Sequence, residues 1–433
     1  MKENKNRVLV ISHDFYPDNS PNTYRWFNVL RSWTDKNLEI YVVTSHQKNL
    51  LRYEEIDGMK IYRVGNRAMD ILKERLLSKQ VISQEQNKIN VHSLKKVSLI
   101  KKIYNSTWKK IFFPDFAFLW QSPAFTISKK LIREKDIYNV ITVSWPFSAH
   151  VVGYRLKNKL NINWIADTID PFFLSAAVNN QFLFKSLNFC YEKKILFKAD
   201  SLTLLTEKLK DKYSEIFPLI ANKITVNHNV FVPYVYDIDT LKSSLDINVT
   251  ILVFVGTLSP VTRTPKNILI LFKNLLMFNP SLQLHFYGNL EQCDEDFKEY
   301  NDLLNRNLFL HGFTPRVEIV SIIQKASAVI NIGNLNQYQE PSKLVEFIYL
   351  KKKILNICSI SDDTSAEMLK SYPLHVNVKI SDFYNEKKHK EVFDFLANDS
   401  TFVSDDLTNS ILGKYMLTSV EKKYFELLKL NDD

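Results

Sequence analysis

The sequence predicts an α/β protein built from two doubly wound, Rossmann-like halves. A chain of 433 residues is long enough for about two domains of roughly 200 residues each. Short apolar runs alternate with helical patterns through the first half, and the alternation starts again near residue 249. Strands that alternate with helices favour parallel sheets covered on both faces.

The composition restricts the class of protein further. The chain is 45% hydrophobic and 24% charged, which is typical of a soluble globular protein. No apolar run approaches the roughly 18–20 residues that a membrane-spanning helix needs. Residues 1–6 lead directly into an apolar strand pattern, so we expect no signal peptide and a cytoplasmic protein.

The first half contains seven elements that can be read from their periodicity. We assign residues 1–230 to an N-terminal domain, because Pro233 and the turn residues around it predict a linker at 227–237. The predicted strands are 7–12, 38–45, 137–144, 161–167 and 201–207, and the predicted helices are 22–33 and 148–158.

The second domain, residues 231–433, repeats the pattern and ends in a long helix. The predicted strands are 249–256, 282–288, 307–312, 326–333 and 352–358, and the predicted helices are 264–278 and 406–429. The chain has only 8 glycines, far below the usual ~7%. Gly256, Gly288, Gly312 and Gly333 each close a predicted strand. Ordinary turns explain some of them, but their shared position also indicates the sheet edge where such folds bind ligands.

The net charge of +10 is concentrated in one segment. Residues 73–110 contain ten Lys or Arg and two Glu, a surplus of eight, interleaved with apolar and aromatic residues. We place a basic insertion at about 66–120. The mixture of basic, apolar and aromatic residues in 73–113 is typical of a segment that contacts an anionic membrane face. A solvated basic insertion is the alternative. We expect no nucleic-acid partner, because no recognised module accompanies the charge.

Three cysteines, Cys190, Cys293 and Cys358, are scattered without the spacing of a zinc site. An odd number of isolated cysteines fits reduced thiols in a cytosol. We therefore expect neither a metal nor another cofactor.

The motif PSKLVEF, residues 341–347, has the chemistry of a nucleotide-diphosphate site. Pro341 fits the first helical position, which leaves the N–H groups of Ser342 and Lys343 free for an anion. Glu346 lies one turn deeper on the same face, where its carboxylate can accept hydrogen bonds from two ribose hydroxyls. A local surface pair between Lys343 and Glu346 is the alternative.

A second phosphate-binding candidate precedes this helix. Gly256 ends a predicted strand, and Arg263 follows it just before a helix that starts near Pro265. Arginine binds phosphate groups through two parallel hydrogen bonds. The alternative for Arg263 is a solvated loop residue.

These segments resemble the GT-B glycosyltransferases of family 4 over nearly the full length of the chain. The resemblance includes, in the order of the family, SHDFYPDNSPNTYRW, FPDFAFLWQSPA, VSWPFSAHVVGYRLK, NWIADTIDPF, ITVNHNVFVP, FVGTLSPVTRTPKN, FLHGFTPRVEIVSIIQKASAVINIG and PSKLVEF. It implies two Rossmann-like domains that face a cleft, with the C-terminal helix crossing back to the N-terminal domain.

The resemblance also implies an activity and site residues. It implies a retaining transferase that uses a nucleotide sugar without a metal. Arg263 and Lys343 would stabilise the leaving diphosphate and Glu346 would hold the ribose, with Gly256 and Ser342 beside them. Tyr338 stands where many relatives carry another glutamate, and Glu340 is two residues out of register. Gln337 or Gln339 is then an alternative contact for the transferred sugar.

The N-terminal domain offers candidates for the acceptor side. The first strand–loop–helix segment holds His13, Asp14, Tyr16, Asn22 and Arg25, and the later segments add Trp145, His150, Asp167 and Asp170. An aspartate at a strand end can accept a sugar hydroxyl or assist as a base, so Asp167 and Asp170 are catalytic candidates. The alternatives are structural: a helix-capping aspartate, a structural histidine at 13 or 150, and a surface charge at Arg25.

We therefore expect a glycosyltransferase that acts in bacterial surface polysaccharide biosynthesis on a glycan or lipid-linked acceptor. We expect it to use a UDP-sugar rather than a GDP-sugar, at the inner face of the cytoplasmic membrane. A nucleotide-sugar 2-epimerase of similar fold and a non-catalytic partner subunit are the alternatives.

Overall fold

The computed structural model describes residues 6–18, 20–66, 112–174, 181–233, 249–260, 263–398 and 402–430. The chain folds into two compact units, residues 1–230 with 417–433, and residues 231–416. Most of the basic segment, residues 73–111, lies outside the described residues.

The first unit contains an eight-stranded sheet in the order β3-β4-β2-β1-β5-β6-β7-β8. All neighbours run parallel except β3 and β4, which form an antiparallel pair. The strands are β1 Arg7–Ser12, β2 Glu39–His46, β3 Tyr53–Ile56, β4 Met59–Asn66, β5 Asn139–Val143, β6 Asn163–Thr168, β7 Ser201–Leu204 and β8 Ile224–Val226.

Helices cover this sheet on both faces. They are α1 Pro21–Asp35, α2 Gln121–Glu134, α3 Ser148–Lys157, α4 Gln181–Lys198 and α5 Glu207–Ile216. Ser20 caps α1 by accepting a hydrogen bond from the Thr23 N–H at 3.1 Å, and Pro21 occupies the first turn. Thr142 and Thr168 point to the face that α3 covers. Because side chains alternate along a strand, Asp167 points to the other face, against α1.

The second unit contains a six-stranded parallel sheet in the order β11-β10-β9-β12-β13-β14. The strands are β9 Ile251–Val255, β10 Gln283–Tyr287, β11 Leu308–Gly312, β12 Ala328–Ile332, β13 Lys353–Ile357 and β14 His375–Val378. The helices are α6 Lys266–Leu275, α7 Asp294–Phe297, α8 Arg316–Lys325, α9 Ser342–Tyr349, α10 Thr364–Leu369, α11 Glu386–Ala397 and α12 Asp405–Leu412. One apolar cluster lies on each face of the sheet.

The C-terminal segment is two helices and not the single helix predicted over 406–429. After α12, a 3₁₀ turn at Gly413–Tyr415 leads to α13, Leu417–Leu427. The helix breaks because Tyr415 is buried in the second unit whereas Tyr424 is buried in the first. The prediction that the C-terminal helix returns to the N-terminal domain is confirmed for α13, which packs on α1.

Within the described part of the chain, no helix is both long and apolar enough to cross a bilayer.

Candidate functional site

Glycines at the strand ends of the second unit let a lysine approach the backbone closely. β9 ends at Val255, whose carbonyl oxygen accepts a hydrogen bond from the Lys343 ammonium. A Cβ atom on Gly256 would lie 2.5 Å from the Lys343 Nζ, and one on Gly288 would collide with the Gly256 carbonyl oxygen. Both glycines have positive φ, 158° and 128°. The predicted gathering of glycines at this sheet edge is therefore confirmed, with a packing reason for two of them.

Helix α9 brings Lys343 and Glu346 to this edge. Leu344, Val345 and Phe347 are buried in one apolar cluster, so the polar residues between them occupy the other side of the helix. The predicted helix start is wrong by one residue, because Pro341 lies before the helix with ψ of 82°. The Ser342 N–H donates to the Glu340 carbonyl at 3.0 Å and is not available to an anion.

Burial and neighbouring charges shift the pKa values of Lys343 and Glu346, the two ionisable groups of α9. Burial, together with the charges of Arg263 and Arg316, lowers the pKa of Lys343 to about 8, and the charge of Glu346 opposes this decrease. Burial raises the pKa of the Glu346 carboxyl, whereas Arg316 and Lys343 oppose that rise. The four side chains therefore form one electrostatic cluster that carries three cations and one carboxylate.

Arg263 joins the cluster from the loop after β9. Its backbone pairs with Ser259 through two hydrogen bonds of 3.1 Å, and its Nη2 donates to the Asn334 Oδ1 at 3.1 Å. Burial lowers the pKa of its guanidinium. Asn334 follows Gly333 at the end of β12, so two neighbouring strand ends hold this arginine at the same edge as Lys343.

Arg316 also belongs to the cluster, although the sequence analysis does not identify it. It is the first residue of α8, and its Nη2 lies 3.6 Å from the Glu346 Oε1. The signal was present in HGFTPR, residues 311–316, where Gly312 ends a strand and an arginine opens the next helix. The pairing with Glu346 spans 30 positions and cannot be read from local spacing.

Glu340, which the sequence places at the donor, turns its carboxylate to the buried hydroxyl of Tyr415, whose pKa it helps burial to raise. In the preceding loop, Gln337 donates to the Tyr338 hydroxyl at 3.0 Å. The Gln339 carbonyl accepts from Thr364 at 2.9 Å.

In the first unit, some acceptor-side candidates lie at the carboxyl ends of the adjacent strands β1, β5 and β6. His13 and Asp14 follow β1, with 2.7 Å between the His13 Nδ1 and the Asp14 Oδ1. The His13 ring contacts Phe116 and Trp120 edge-on. Asn22 donates to the Ser144 carbonyl at 3.1 Å, beyond β5.

Three further candidates reach solvent near these strand ends. Tyr16 is 41% exposed and stacks on Phe27 at 4.8 Å. Trp145 and Asp170, which follow β5 and β6, are partly exposed. The sequence-predicted edge thus retains a histidine–aspartate pair, a tyrosine, an amide, an indole and a carboxylate.

Arg25 and Asp167 are structural, contrary to the acceptor-binding and catalytic roles predicted for them. Both are 1% exposed, and they form an ion pair of 2.7 Å. Asp167 also accepts hydrogen bonds from Trp26 at 2.9 Å, Thr203 at 2.5 Å and Tyr424 at 2.8 Å. A buried carboxylate with four protein donors has no room for a substrate hydroxyl.

His150 is likewise a core residue and not an acceptor-side one. It is fully buried, and its ring nitrogens lie 2.8 Å from the Thr142 Oγ1 and 3.1 Å from the Thr168 Oγ1. Burial lowers its pKa to about 4, so the ring is neutral at physiological pH. The sequence could not distinguish this position because α3 begins at the same strand end as the candidate site.

No group of three or more His, Cys, Asp or Glu residues in the described ranges is arranged to hold a metal ion.

The cluster of Arg263, Lys343, Arg316 and Glu346 in the second unit has the chemistry of an anion-binding site. Two partly buried cations and a third at the rim suit a diphosphate, and a carboxylate beside them can accept hydrogen bonds from hydroxyl groups.

Solved structures resemble the chain over nearly its whole length. One is a sucrose-phosphate synthase from Thermosynechococcus elongatus, with a TM-score of 0.65 and 11% identity over 98% of each chain. Another is an α,α-trehalose 6-phosphate synthase from Burkholderia multivorans, with a TM-score of 0.62 and 9% identity over 98% of this chain and 96% of that one. A third is WaaG, described as a glycosyltransferase involved in lipopolysaccharide biosynthesis, with a TM-score of 0.56 and 8% identity over 97% and 99%.

No family model and no curated protein match the sequence. At these identities the structural likeness establishes the fold. The chain has the GT-B fold of glycosyltransferases, with two parallel-sheet units, as the sequence predicts.

Proposed function

We propose that the protein is a retaining glycosyltransferase that transfers a sugar from a nucleotide sugar to a glycan or lipid-linked acceptor. The observation that carries this proposal is the cluster of Arg263, Lys343, Arg316 and Glu346 at the strand ends of the second unit. An enzyme that releases a nucleoside diphosphate needs cations where that charge develops. The GT-B fold of the chain supports the same reaction.

In the proposed reaction the bond between the sugar C1 and the diphosphate oxygen breaks, and its electron pair leaves with the diphosphate. Lys343 and Arg263 stabilise that charge, and Glu346 accepts hydrogen bonds from the ribose hydroxyls. The acceptor oxygen forms the new bond to C1, and its proton passes to a carboxylate of the acceptor side or to an oxygen of the departing diphosphate. Of the two aspartates predicted as catalytic, Asp170 remains a candidate, since Asp167 is buried in the core.

The finer parts of the proposal concern the donor and the location. We propose a UDP-sugar in preference to a GDP-sugar, catalysis without a metal, and a role in surface polysaccharide synthesis at the inner face of the membrane. The involvement of WaaG in lipopolysaccharide biosynthesis supports that setting. The basic segment 73–113 is the proposed membrane contact, and it falls almost wholly outside the described residues.

Calorimetric titration with UDP, GDP, dTDP and CMP, with and without EDTA, tests the site before any activity assay. We expect one diphosphate to bind without metal. Glu346→Gln and Lys343→Met should each weaken that binding about 10- to 100-fold, since each removes charged hydrogen bonds. Glu386→Gln, at an exposed position of the second unit, should bind as the wild type does.

Failure of every nucleotide to bind would refute the transferase assignment, and equal binding by all variants would place the nucleotide elsewhere. If a diphosphate binds and the donor is consumed without an acceptor, an epimerase is indicated. Binding without any turnover indicates a non-catalytic subunit.

A further inference from the structure

Three neighbouring helices of the first unit carry a second surplus of positive charge, apart from the one in residues 73–110. Helices α2, α3 and α4 contain nine Lys or Arg and two Glu, a surplus of seven, whereas the whole chain has a net charge of +10. α3 packs against both α2 and α4. One of the two acids, Glu192, is fully buried. We call α2, α3 and α4 the basic helical layer.

The opposite face of the sheet has no such surplus. Helices α1 and α13, which pack together beside Asp167, contain four Lys or Arg and three acids. Cations near a helix C-terminus are common because they complement the helix dipole, but α1 and α13 have none in their last turns. In the basic helical layer, Lys129, Lys130 and Lys185 also lie before the last turn. The helix dipole therefore does not account for the asymmetry.

Exposed leucines accompany the cations on α4. Leu183 is 55% exposed and Leu187, beyond a kink at Phe184, is 47% exposed. Cys190, one turn after Leu187, is also exposed, and Lys193 and Lys194 follow at the surface. Exposed leucines bordered by lysines are typical of a helix that lies on a lipid surface.

A third exposed leucine lies at the matching end of α2. Leu119 is 56% exposed, immediately before α2. Aromatic contacts connect the two places: Phe113 lies 5.6 Å from the Phe184 ring, and its neighbour Phe112 lies 4.9 Å from Phe118. Both leucine positions are at the amino ends of helices. In a parallel α/β sheet these ends lie at the edge where the strands terminate, which is also the edge of the acceptor-side candidates.

We propose that the basic helical layer is a docking surface for an anionic membrane, with Leu119, Leu183 and Leu187 entering the lipid interface. Charge alone would suit nucleic acid or an acidic protein, but leucines exposed among lysines gain stability only where they leave water. The proposal extends the membrane contact proposed for residues 73–113, although it rests on described residues alone. It places the acceptor edge of the first unit at the bilayer surface, where a lipid-linked acceptor would be found.

Binding to vesicles tests the charges. Full-length protein is titrated with vesicles of phosphatidylcholine alone and of phosphatidylcholine with phosphatidylglycerol, at two salt concentrations. We expect binding only to the anionic vesicles, weakening with salt. Lys193→Glu/Lys194→Glu should weaken it at least about 30-fold, from the contribution of each lysine near an anionic surface.

The matched control reverses two charges elsewhere. Lys422→Glu/Lys429→Glu changes exposed lysines on and just beyond α13 and should bind anionic vesicles within about threefold of the wild type, as expected if only the lysines facing the bilayer contribute. Equal loss in both double variants would show that net charge alone drives binding and would overturn the proposal. The proposal would also be overturned if Lys193→Glu/Lys194→Glu binds anionic vesicles as tightly as the wild type.

Cys190 allows the leucines to be tested in the natural sequence. It is exposed whereas Cys293 and Cys358 are buried, so a thiol-reactive fluorophore should label it selectively. We expect nitroxide-labelled lipid to quench this fluorophore in anionic vesicles. Leu183→Ser/Leu187→Ser should abolish quenching, and Leu51→Ser/Leu219→Ser, which alters two other exposed leucines, should leave it unchanged.

Absence of quenching in the wild type, or preference for DNA over vesicles, would overturn the lipid assignment. Nucleotide titration of the same variants separates this proposal from the proposed function, because neither lysine lies in the second unit. A variant that loses vesicle binding but still binds nucleotide shows that its residues act in membrane docking and not in the nucleotide site. If the protein binds vesicles but no nucleotide, the membrane-docking proposal is supported and the proposed transferase function is refuted.

Discussion

The ion pair between Arg316 and Glu346 joins two helices of the second unit. Glu346 is 18% exposed at its side chain and Arg316 is 48% exposed, so the arginine acts from the rim on a carboxylate that is nearly desolvated. Burial alone favours the protonated form of Glu346. We infer that Arg316 is a positioning residue that keeps the carboxylate ionised and oriented.

Replacing Arg316 should change the pH profile of nucleotide binding. Arg316→Gln removes a charge that lowers the pKa of both Glu346 and Lys343, so both pKa values should rise. Glu346 then becomes protonated at a higher pH on the acid side, and Lys343 keeps its proton to a higher pH on the alkaline side. We expect affinity to fall roughly fivefold near pH 6, from an ion pair of about 1 kcal/mol, and its optimum to move upward.

Arg316→Lys should restore most of the profile because it keeps the charge. Arg306→Gln, an exposed arginine elsewhere in the unit, serves as the control for a general charge effect. Calorimetric titration from pH 5.5 to 9 measures all four proteins. A uniform loss of affinity at every pH would show that Arg316 acts through packing and not through the ionisation of Glu346.

At the scale of elements, helix α4 carries a buried carboxylate that the proposed reaction does not use. Glu192 is fully buried and accepts hydrogen bonds from the Phe173 N–H at 2.7 Å and from the Tyr213 hydroxyl at 2.5 Å. These contacts hold the turn after β6 against α4 and α5. Burial raises the pKa of Glu192 to about 7, so folding favours its protonated form.

This shift predicts a loss of stability with rising pH. Since the folded pKa is above the unfolded value of 4.5, the stabilisation is complete below about pH 4.5 and is lost as the pH rises to about 7. The full effect is about 3 kcal/mol at 1.36 kcal/mol per pKa unit. Guanidinium unfolding of the wild type and Glu192→Gln at pH 5 and pH 8 should show it as a difference between the two proteins.

The variant should lack this part of the pH dependence, and Glu426→Gln, an exposed glutamate on α13, should retain it. Parallel curves for the wild type and Glu192→Gln would show that Glu192 ionises at its ordinary pKa despite its burial.

Elements differ in how far the sequence predicts them. The sequence predicts the central strands of both sheets, because buried parallel strands consist of continuous apolar runs. The β3–β4 pair and α4 were missed, because Tyr53–Ile56 is short and polar and α4 distributes aromatic residues around its circumference.

For the site residues too, the sequence predicts local spacing but not contacts between distant elements. Lys343 and Glu346 were found because one helix carries both, whereas Arg316 was missed because its partner lies on another helix. Asp167 and His150 were assigned to the acceptor side because they stand at a strand end and a helix start. Which side of the sheet a side chain occupies depends on long-range packing, and the sequence does not report it.

At the scale of the whole molecule, the first unit is made from both ends of the chain. Tyr424 on α13 accepts a hydrogen bond from the Arg25 Nη2 at 2.7 Å and donates one to the Asp167 Oδ1 at 2.8 Å. The first of these contacts spans 399 positions. The Tyr424 ring also packs on Trp26 and Trp33, so α13 is part of the core of the first unit.

Tyr424→Phe should destabilise the first unit without affecting the nucleotide site. The substitution leaves a buried guanidinium and a buried carboxylate each short of one partner, which costs about 1–3 kcal/mol. Denaturant unfolding measures the loss, and nucleotide titration checks the second unit. Tyr384→Phe, at a tyrosine that is 80% exposed, should change neither quantity.

The contact between Arg25 and Tyr424 also fixes an order of events on the ribosome. The arginine and Asp167 are synthesised long before the tyrosine that joins them, so the network can close only when almost all of the 433 residues have been translated. Until then the surface that α13 covers, with Trp33 in it, has no partner within the nascent chain. A translation product that stops before Leu417 therefore contains every strand of the first sheet and still lacks a finished core.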